Sequence, residues 1–290
     1  MNDAQVTYCG YVTIIGRPNV GKSTLLNQIM QKKISITSRK PQTTSYPVMG
    51  ISTIGPYQTI YVDTPGLQFL EKRTINRLMN KIVNSFIIDA ALVILVAEET
   101  HWTHDEELLI KKLFNIHCPI VLAINKVDNL SDKKKLLPHI NFLNQKMLFN
   151  DIVPICAKNN INVKNLIKIV QKNLPRGAHR FSNNNVTNLS QRFMVSEVIR
   201  EKLMRLLGDE LPYYTTAKIN HFFINNHGHY DIHAFILVEK SNQKKIVIGN
   251  KGNKIKLIGI KARKDIESLL KKQVYLSLWV KTKSRRIDNN

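Results

Sequence analysis

Eight residues, Gly16-Arg17-Pro18-Asn19-Val20-Gly21-Lys22-Ser23, restrict what this chain can fold into more than any others. They follow the apolar run Tyr11–Ile15 and precede Leu25, Leu26, Ile29 and Met30, which recur at helical spacing. Strand, glycine loop and helix in that order make a phosphate-binding loop. The glycines let successive backbone N–H groups turn inward onto phosphate oxygens, and the helix N-terminus adds partial positive charge. Lys22 would reach the β- and γ-phosphates, and the Ser23 hydroxyl would ligate Mg²⁺. An ordinary glycine turn accounts for two glycines. It does not account for two glycines, a lysine and a serine at this spacing behind a strand.

The first strand is expected over Val6–Ile15, with a helix running to about Met30. The polar, hydroxyl-rich stretch 35–45 reads as a mobile loop and contains the candidate switch residues Gln42, Thr43, Thr44, Ser45 and Tyr46. Val48–Ile54 and Gln58–Val62 pair as a hairpin around Gly55-Pro56. The second of these strands ends in Asp63-Thr64-Pro65-Gly66, where Asp63 would hold Mg²⁺ through water and the Gly66 N–H would meet the γ-phosphate. A basic amphipathic helix over about Lys72–Ile88, a strand over Ala91–Ala97 and a helix near Asp105–Phe114 follow. The strand Ile120–Ile124 then delivers Asn125-Lys126-Val127-Asp128. The Asp128 carboxylate can accept from both N1–H and the N2 amine of guanine, a donor pair adenine lacks, and such sites discriminate by roughly 10⁴–10⁵. Lys126 would lie along the base plane and Asn125 would tie this loop to the phosphate loop. After a strand at Ile152–Ile155 comes Cys156-Ala157-Lys158, where the Ala157 N–H would bond guanine O6. Sites at the C-terminal ends of alternating strands imply an open, mostly parallel α/β sheet, a P-loop GTPase domain over residues 1–174.

Beyond Leu174 the periodicity stops, and residues 175–190 read as a polar linker. Residues 191–290 form a second domain. A helix over about Gln191–Leu207 is followed by strands Thr215–Ile224 and Tyr230–Val238, with Asn225–Gly228 as their turn. An apolar, strand-like lead from Lys245 then enters Gly249-Asn250-Lys251-Gly252, with Lys254 just beyond. A helix to about Lys272 and a strand Val274–Val280 complete the domain. Helix, strand, strand, helix, helix, strand around a GxxG turn is the order of an α+β type II KH fold, whose loop clamps about four nucleotides of single-stranded RNA. Lys245, Gly249, Asn250, Lys251, Gly252 and Lys254 are the candidate RNA contacts.

Charge agrees with that. The 290 residues carry 43 Lys+Arg against 21 Asp+Glu, a net +22 that implies a polyanionic partner, nucleic acid or anionic lipid. Residues 183–290 hold 20 of the basic and 9 of the acidic side chains, so the shorter C-terminal part is the more densely charged. A Lys-, Asn- and Ile-rich chain of this kind also suits an AT-biased genome. Three well-separated cysteines, Cys9, Cys118 and Cys156, suit a reducing cytosol with free thiols and no zinc site. Apolar runs such as Ala90–Ala97 are too short to span a bilayer, and no signal peptide is expected. His101 and His104 lack a third ligand at sensible spacing, His227 and His229 read as solvated, and Arg73, Arg77 and Lys81 read as a solvated helix face.

Taken together, GRPNVGKS, QTTS, DTPG, NKVD and CAK in the first part and VIGNKGNKIK in the second resemble the bacterial Era GTPase family over nearly the whole chain. The resemblance implies a Ras-like GTPase domain followed by a KH domain. It also implies binding near the 3′ end of small-subunit (16S) ribosomal RNA and a role in assembly of the small ribosomal subunit. Mg²⁺ and GTP/GDP are the implied ligands, and the implied protein is a cytoplasmic monomer with partial, peripheral membrane association and no DNA partner. Asn19 resembles the potassium-ligating Asn of related GTPases, so K⁺ would assist hydrolysis. The chain departs from the family at Cys156, where Ser is more usual, and at Ser45, where a basic residue is. Leu67 stands where Ras-like enzymes carry a water-orienting Gln, which predicts slow unaided turnover. Thr44 is the first choice for the switch-loop Mg²⁺ ligand and Thr43 the second. The rival function is a membrane-surface GTPase whose lysines bind anionic lipid; a tRNA-modifying GTPase would need cysteine or cofactor machinery not found here.

Overall fold

A computed structural model describes residues 6–66, 74–208 and 210–283. Leu67, Lys72 and Arg73 lie outside the described residues. The chain divides into two compact units, Met1–Thr37 with Thr44–Asn188, and Ser38–Thr43 with Leu189–Asn290.

The first unit is built on six strands: β1 (Tyr8–Ile15), β2 (Val48–Ile54), β3 (Tyr57–Asp63), β4 (Leu92–Glu98), β5 (Ile120–Asn125) and β6 (Asp151–Pro154). Its helices are α1 (Lys22–Met30), α2 (Thr74–Ile88), α3 (His104–Leu113), α4 (Leu136–Lys146) and α5 (Val163–Lys172). The sheet order is β2-β3-β1-β4-β5-β6. Only β2 runs antiparallel, paired to β3 through the hairpin at Gly55, whose φ of 56° is left-handed. Every residue of β5 and the first six of β4 are buried. A strand covered on both faces must be apolar throughout, which is why these segments read as unbroken Val/Ile/Leu/Ala runs. Because β1, β3, β4, β5 and β6 all point the same way, the loops after them gather at one edge of the sheet. That edge carries every nucleotide motif of the chain.

Residues 175–188, polar and irregular in sequence, are laid against the first unit. Cys9 N–H donates to the Pro175 carbonyl (3.1 Å), Gly177 N–H to Thr7 (3.0 Å) and Ile51 N–H to Val186 (2.8 Å). The fully buried Gln58 anchors the middle of the stretch. Its Oε1 accepts from the Arg180 and Phe181 N–H groups (2.7 and 2.9 Å), and its Nε2 donates to the Phe181 carbonyl (2.8 Å). One amide side chain thus satisfies three backbone groups, as burial demands.

The second unit orders its sheet β7-β8-β9, from β7 (Thr216–Ile224), β8 (Tyr230–Val238) and β9 (Val274–Thr282). Its helices are α6 (Gln191–Leu206), α7 (Ser241–Ile248) and α8 (Asn253–Leu270). β7 pairs antiparallel to β8, and β8 parallel to β9. β8 alternates strictly, with Tyr230, Ile232, Ala234, Ile236 and Val238 buried, and this face joins Val195, Ile199 and Leu203 of α6 and Ile258, Ala262 and Ile266 of α8 in one core. The turn is stapled by Asn225, whose Oδ1 accepts from the N–H groups of His227 and His229 (3.0 Å each). In β7, Ile219 pairs with Ala234 and His221 with His233, so Asn220 is an extra residue, a bulge. Arg192 of α6 donates to the Ile219 and Asn220 carbonyls (2.8 and 3.0 Å), satisfying acceptors that the bulge removes from the ladder. The strand-like lead before Gly249 is helical. In α7 the Gln243 side chain accepts from the Lys240 N–H (2.9 Å), an N-terminal cap that a short apolar run cannot reveal.

Gln58→Leu should lower stability, because the Arg180 and Phe181 N–H groups would lose their partner at about 1–3 kcal/mol for each group left buried and unpaired. Urea unfolding followed by circular dichroism checks this; an unchanged midpoint would show that the stretch is held without Gln58.

Candidate nucleotide site and glycine loop

The phosphate loop leaves β1 in a backbone that few residues tolerate. Gly16 (φ 150°), Asn19 (φ 66°) and Gly21 (φ 103°) all lie at positive φ. A Cβ at Gly16 would sit 2.5 Å from the Val96 carbonyl oxygen, and one at Gly21 would sit 2.2 Å from Asn125 Nδ2. Both glycines therefore mark close approaches as well as turns. Lys22 is buried and donates to the Gly16 and Arg17 carbonyls (3.0 and 2.9 Å). Burial lowers its pKa to about 8, offset in part by Asp63. A phosphate there would supply the negative charge that burial makes scarce.

Ser23, Asp63 and Thr44 converge. Ser23 Oγ donates to Asp63 Oδ2 (2.6 Å) and lies 2.9 Å from Thr44 Oγ1. Ser35, which sequence patterns do not single out, also donates to Asp63 Oδ2 (2.8 Å). Burial raises the Asp63 pKa, countered by the Ser23 hydroxyl and Lys22. Its Oδ1 is buried with no hydrogen-bond partner. An orphaned carboxylate oxygen beside two hydroxyl oxygens fits a hard divalent cation, which takes oxygen ligands only. Thr43 faces elsewhere: its hydroxyl donates to the Lys40 carbonyl (2.7 Å), and its own carbonyl accepts from Arg200 (2.6 Å) within the second unit. Gly66 reaches the phosphate loop, since a Cβ there would lie 2.8 Å from Pro18 N. Thr64 Oγ1 donates to the Ile14 carbonyl (2.8 Å) and so pins the Asp63–Gly66 turn to β1.

Asn125 joins three loops. Its Nδ2 donates to the Val20 carbonyl (2.8 Å), and its Oδ1 accepts from the Ala157 N–H (2.9 Å). That N–H, expected at guanine O6, is thus already engaged, and a base would have to share it. The Asp128 side chain is exposed, with Asn159 Nδ2 3.4 Å from its Oδ2. Cys156 is buried and its Sγ accepts from the Asn159 N–H (3.4 Å), while Lys158 is exposed.

Two carboxylates that the motifs do not contain complete the site. Arg17 donates through Nε to Glu106 Oε1 (2.5 Å) and through a terminal nitrogen to Glu98 Oε2 (3.0 Å), so its guanidinium is held by acids. Glu98 also pairs with Lys126. The phosphate-loop arginine and the base-loop lysine therefore share one carboxylate at the end of β4. Glu106 is fully buried and caps α3 by accepting from the Thr103 N–H (2.9 Å). The Thr103-x-x-Glu106 spacing is a capping-box signal visible in the sequence.

In the second unit, α7 ends at Gly249 (φ 75°), Lys251 is left-handed (φ 46°) and Gly252 (φ 78°) opens α8. A Cβ at Gly249 would lie 2.6 Å from Lys254 Cβ, so the backbone passes α8 too closely for a side chain. Lys245, Asn250 and Lys251 are exposed and Lys254 is half-buried. Ile246 on α7 and Leu257 and Ile260 on α8 are exposed apolar side chains on the two flanking helices.

A family model described as 50S ribosome-binding GTPase matches residues 11–126, and one described as KH domain matches residues 210–286. GTPase Era of Yersinia enterocolitica serotype O:8 / biotype 1B is 58% identical over 289 residues, covering 100% of this chain and 95% of the relative. GTPase Era of Yersinia pestis strain Pestoides F is 57% identical over the same span and shares. Among solved structures, Era in complex with MgGDPNP and nucleotides 1506–1542 of 16S ribosomal RNA superposes with a TM-score of 0.91 at 35% identity, over 96% of this chain and 95% of that one. A variant of Aquifex aeolicus Era bound to GDP·AlF4⁻ gives the same TM-score, identity and coverage.

Thr44→Ala should reduce Mg²⁺-dependent GTP hydrolysis by about ten- to a hundredfold, the range for lost support around a metal ion, while Thr43→Ala stays close to wild type. Phosphate-release rates for the two variants decide it, and the opposite order would move the ligand to Thr43.

Proposed function

Since the chain belongs to the Era family of GTPases and hydrolyses GTP as that family does, we propose that it is a GTP-dependent switch that binds small-subunit ribosomal RNA near its 3′ end and acts in small-subunit assembly. The observation that carries the RNA reading is the Gly249–Gly252 loop. Its glycines admit a phosphate backbone, Lys251 and Lys245 stand exposed at that point, and the apolar Ile246, Leu257 and Ile260 suit unstacked bases. The 16S segment bound by the solved relative comes to this chain on that loop.

In the first unit, Gly16–Ser23 and Gly66 would cradle the phosphates, and Lys22 would neutralise their charge. Asp128 would read guanine from its N1–H and N2 donors, with Lys126 along the base and Asn125, Cys156, Ala157 and Lys158 shaping the pocket. Ser23 and Thr44 would hold Mg²⁺, with Asp63 acting through water, and the ion would supply positive charge against the charge developing in phosphoryl transfer. Catalysis of this type is positioning and electrostatics, with little covalent work for side chains. K⁺ is the proposed assistant, on Asn19, whose left-handed backbone (φ 66°) sets it inside the phosphate loop. The protein is proposed to be cytoplasmic, with peripheral contact to the inner membrane through its net +22 charge. Among the described residues no helix is long and apolar enough to cross a membrane.

GTP hydrolysis should require Mg²⁺ and run faster in K⁺ than in Na⁺ at equal ionic strength; equal rates in the two salts would take K⁺ out of the mechanism. Replacing Asn250 and Lys251 together by aspartate should abolish most single-stranded RNA binding while GTP affinity and the thermal midpoint stay near wild type. Wild-type affinity should fall with salt at a log–log slope of roughly −0.7 per phosphate neutralised, and less steeply in the double variant. Fluorescence anisotropy at two salt concentrations measures both. Wild-type RNA affinity in the variant, with liposome binding equally untouched, would favour the lipid-binding alternative.

A further inference from the structure

The sheet of the second unit has two unlike faces. One is the core already described. The other displays aromatic rings to solvent: Tyr275 is 57% exposed, Trp279 45% and Phe223 47%. The bulge at Asn220 is what brings His221 and Phe223 of β7 onto the face that Tyr275 and Trp279 of β9 share. Without the bulge, Asn220 would take a place in the alternation and His221 and Phe223 would turn inward. With it, His221 faces His233 across the strands (5.3 Å between ring centroids), His233 meets Trp279 (5.3 Å), and Trp279 meets Phe235 (6.0 Å). Tyr275, two residues before Ser277 on β9, continues the same face beside Asp231.

Cations stand at both ends of this aromatic row. Lys281 lies 3.6 Å over the Phe235 ring, and Lys218 pairs across from Phe235 on β7. At the Tyr275 end, three cations, Arg263, Lys271 and Lys272, and one acid, Glu267, line a cleft of about 540 Å³ together with Tyr275 itself. The acids nearby already have partners. Asp231 pairs with His233 (3.1 Å), and Glu267 accepts from the Val274 N–H (3.3 Å). A docking face for another protein is also rich in aromatic rings, but it is depleted of lysine. Exposed rings interleaved with histidine and bracketed by lysine and arginine suit bases joined by phosphates instead.

We propose that this open sheet face is a second binding surface for unpaired RNA, with bases stacking on Tyr275 and on the Trp279–Phe235 group and phosphates meeting Lys218 and Lys281 at one end and the Arg263–Lys271–Lys272 cleft at the other. The proposal rests on the RNA reading of the glycine loop and extends it. A KH loop holds about four nucleotides. The cleft starts at Arg263, roughly 16 Å along α8 from the glycine loop, and ends at the helix terminus, roughly 27 Å from it, so the two surfaces are distinct and a longer strand is needed to reach both.

The chain has two tryptophans, so in a full-length Trp102→Phe variant Trp279 reports alone. Titrating a short oligoadenylate should quench its fluorescence, and should still do so when Asn250 and Lys251 are both aspartate, because the sheet face is untouched by that change. Tyr275→Ala and Phe235→Ala should each weaken oligoadenylate binding by about five- to a hundredfold, the range for one lost base–aromatic stack. GTP hydrolysis and the thermal midpoint should stay constant in both, which separates a lost stack from a misfolded sheet. Oligoadenylate bound by anisotropy with no change at Trp279 overturns the proposal and leaves the glycine-loop reading standing. Quenching that disappears with the loop aspartates also overturns it, since the signal then belongs to the loop. Quenching that grows with protein concentration in the absence of RNA overturns it in favour of contact between two copies of the chain. Loss of all RNA binding in the wild-type loop would sink both readings together.

Discussion

The amide of Asn125 is the constraint on which the nucleotide site depends. It occupies the space that a side chain at Gly21 would need, donates to the phosphate loop at Val20 and accepts from the guanine-side loop at Ala157. A single planar group with one donor and one acceptor end thus sets the distance between the parts that hold phosphate and the parts that hold base. Glycine at 21 follows from this, because any Cβ there would collide with the amide nitrogen. The buried Asn125 ends a strand that is otherwise apolar, Ile120–Ile124, so its position inherits the rigidity of the sheet. Around it the acids Glu98 and Glu106 hold Arg17 and Lys126 in a second tie between the same two loops.

Much of this was legible in the sequence because the phosphate, switch and base motifs are contiguous in the chain. A phosphate loop announces itself in eight neighbouring residues, and a strand that must be covered on both faces cannot hide its composition. The pairing of Ser35 with Asp63, or of Glu98 with Arg17, spans tens of residues and leaves no local pattern. Glu106 is the exception: its cap on Thr103 is local and readable, while its hold on Arg17 is not. Residues 175–188 lack periodicity, so they read as a linker. Their attachment through Gln58 depends on backbone N–H groups that only the folded chain brings to that amide. The apolar residues before Gly249 illustrate a different limit, since a run of three, Ile246–Ile248, suits helix or strand until the Gln243 cap is seen.

Burial also shapes the electrostatics of the site. Lys22 and Asp63 both lose hydration, which pushes one pKa down and the other up, so each charged form is held less firmly than in water. A nucleotide with its cation brings the opposite charge to both groups at once. The hydroxyls of Ser35 and Thr44 bond the same Asp63 carboxylate, so the segments that carry them meet at the group whose charged form a cation would favour.

Asn220 has a consequence for how this strand can change over time. In a regular strand, inserting or deleting one residue turns every later side chain to the opposite face, exchanging core for surface. β7 already contains its surplus residue, with the spare carbonyls held by Arg192. Removing Asn220 would leave Ile219 and Phe222 facing inward and His221 and Phe223 facing outward, in step with plain alternation. Position 220 is therefore the point in β7 where the chain can shorten by one residue and keep its side chains on their present faces.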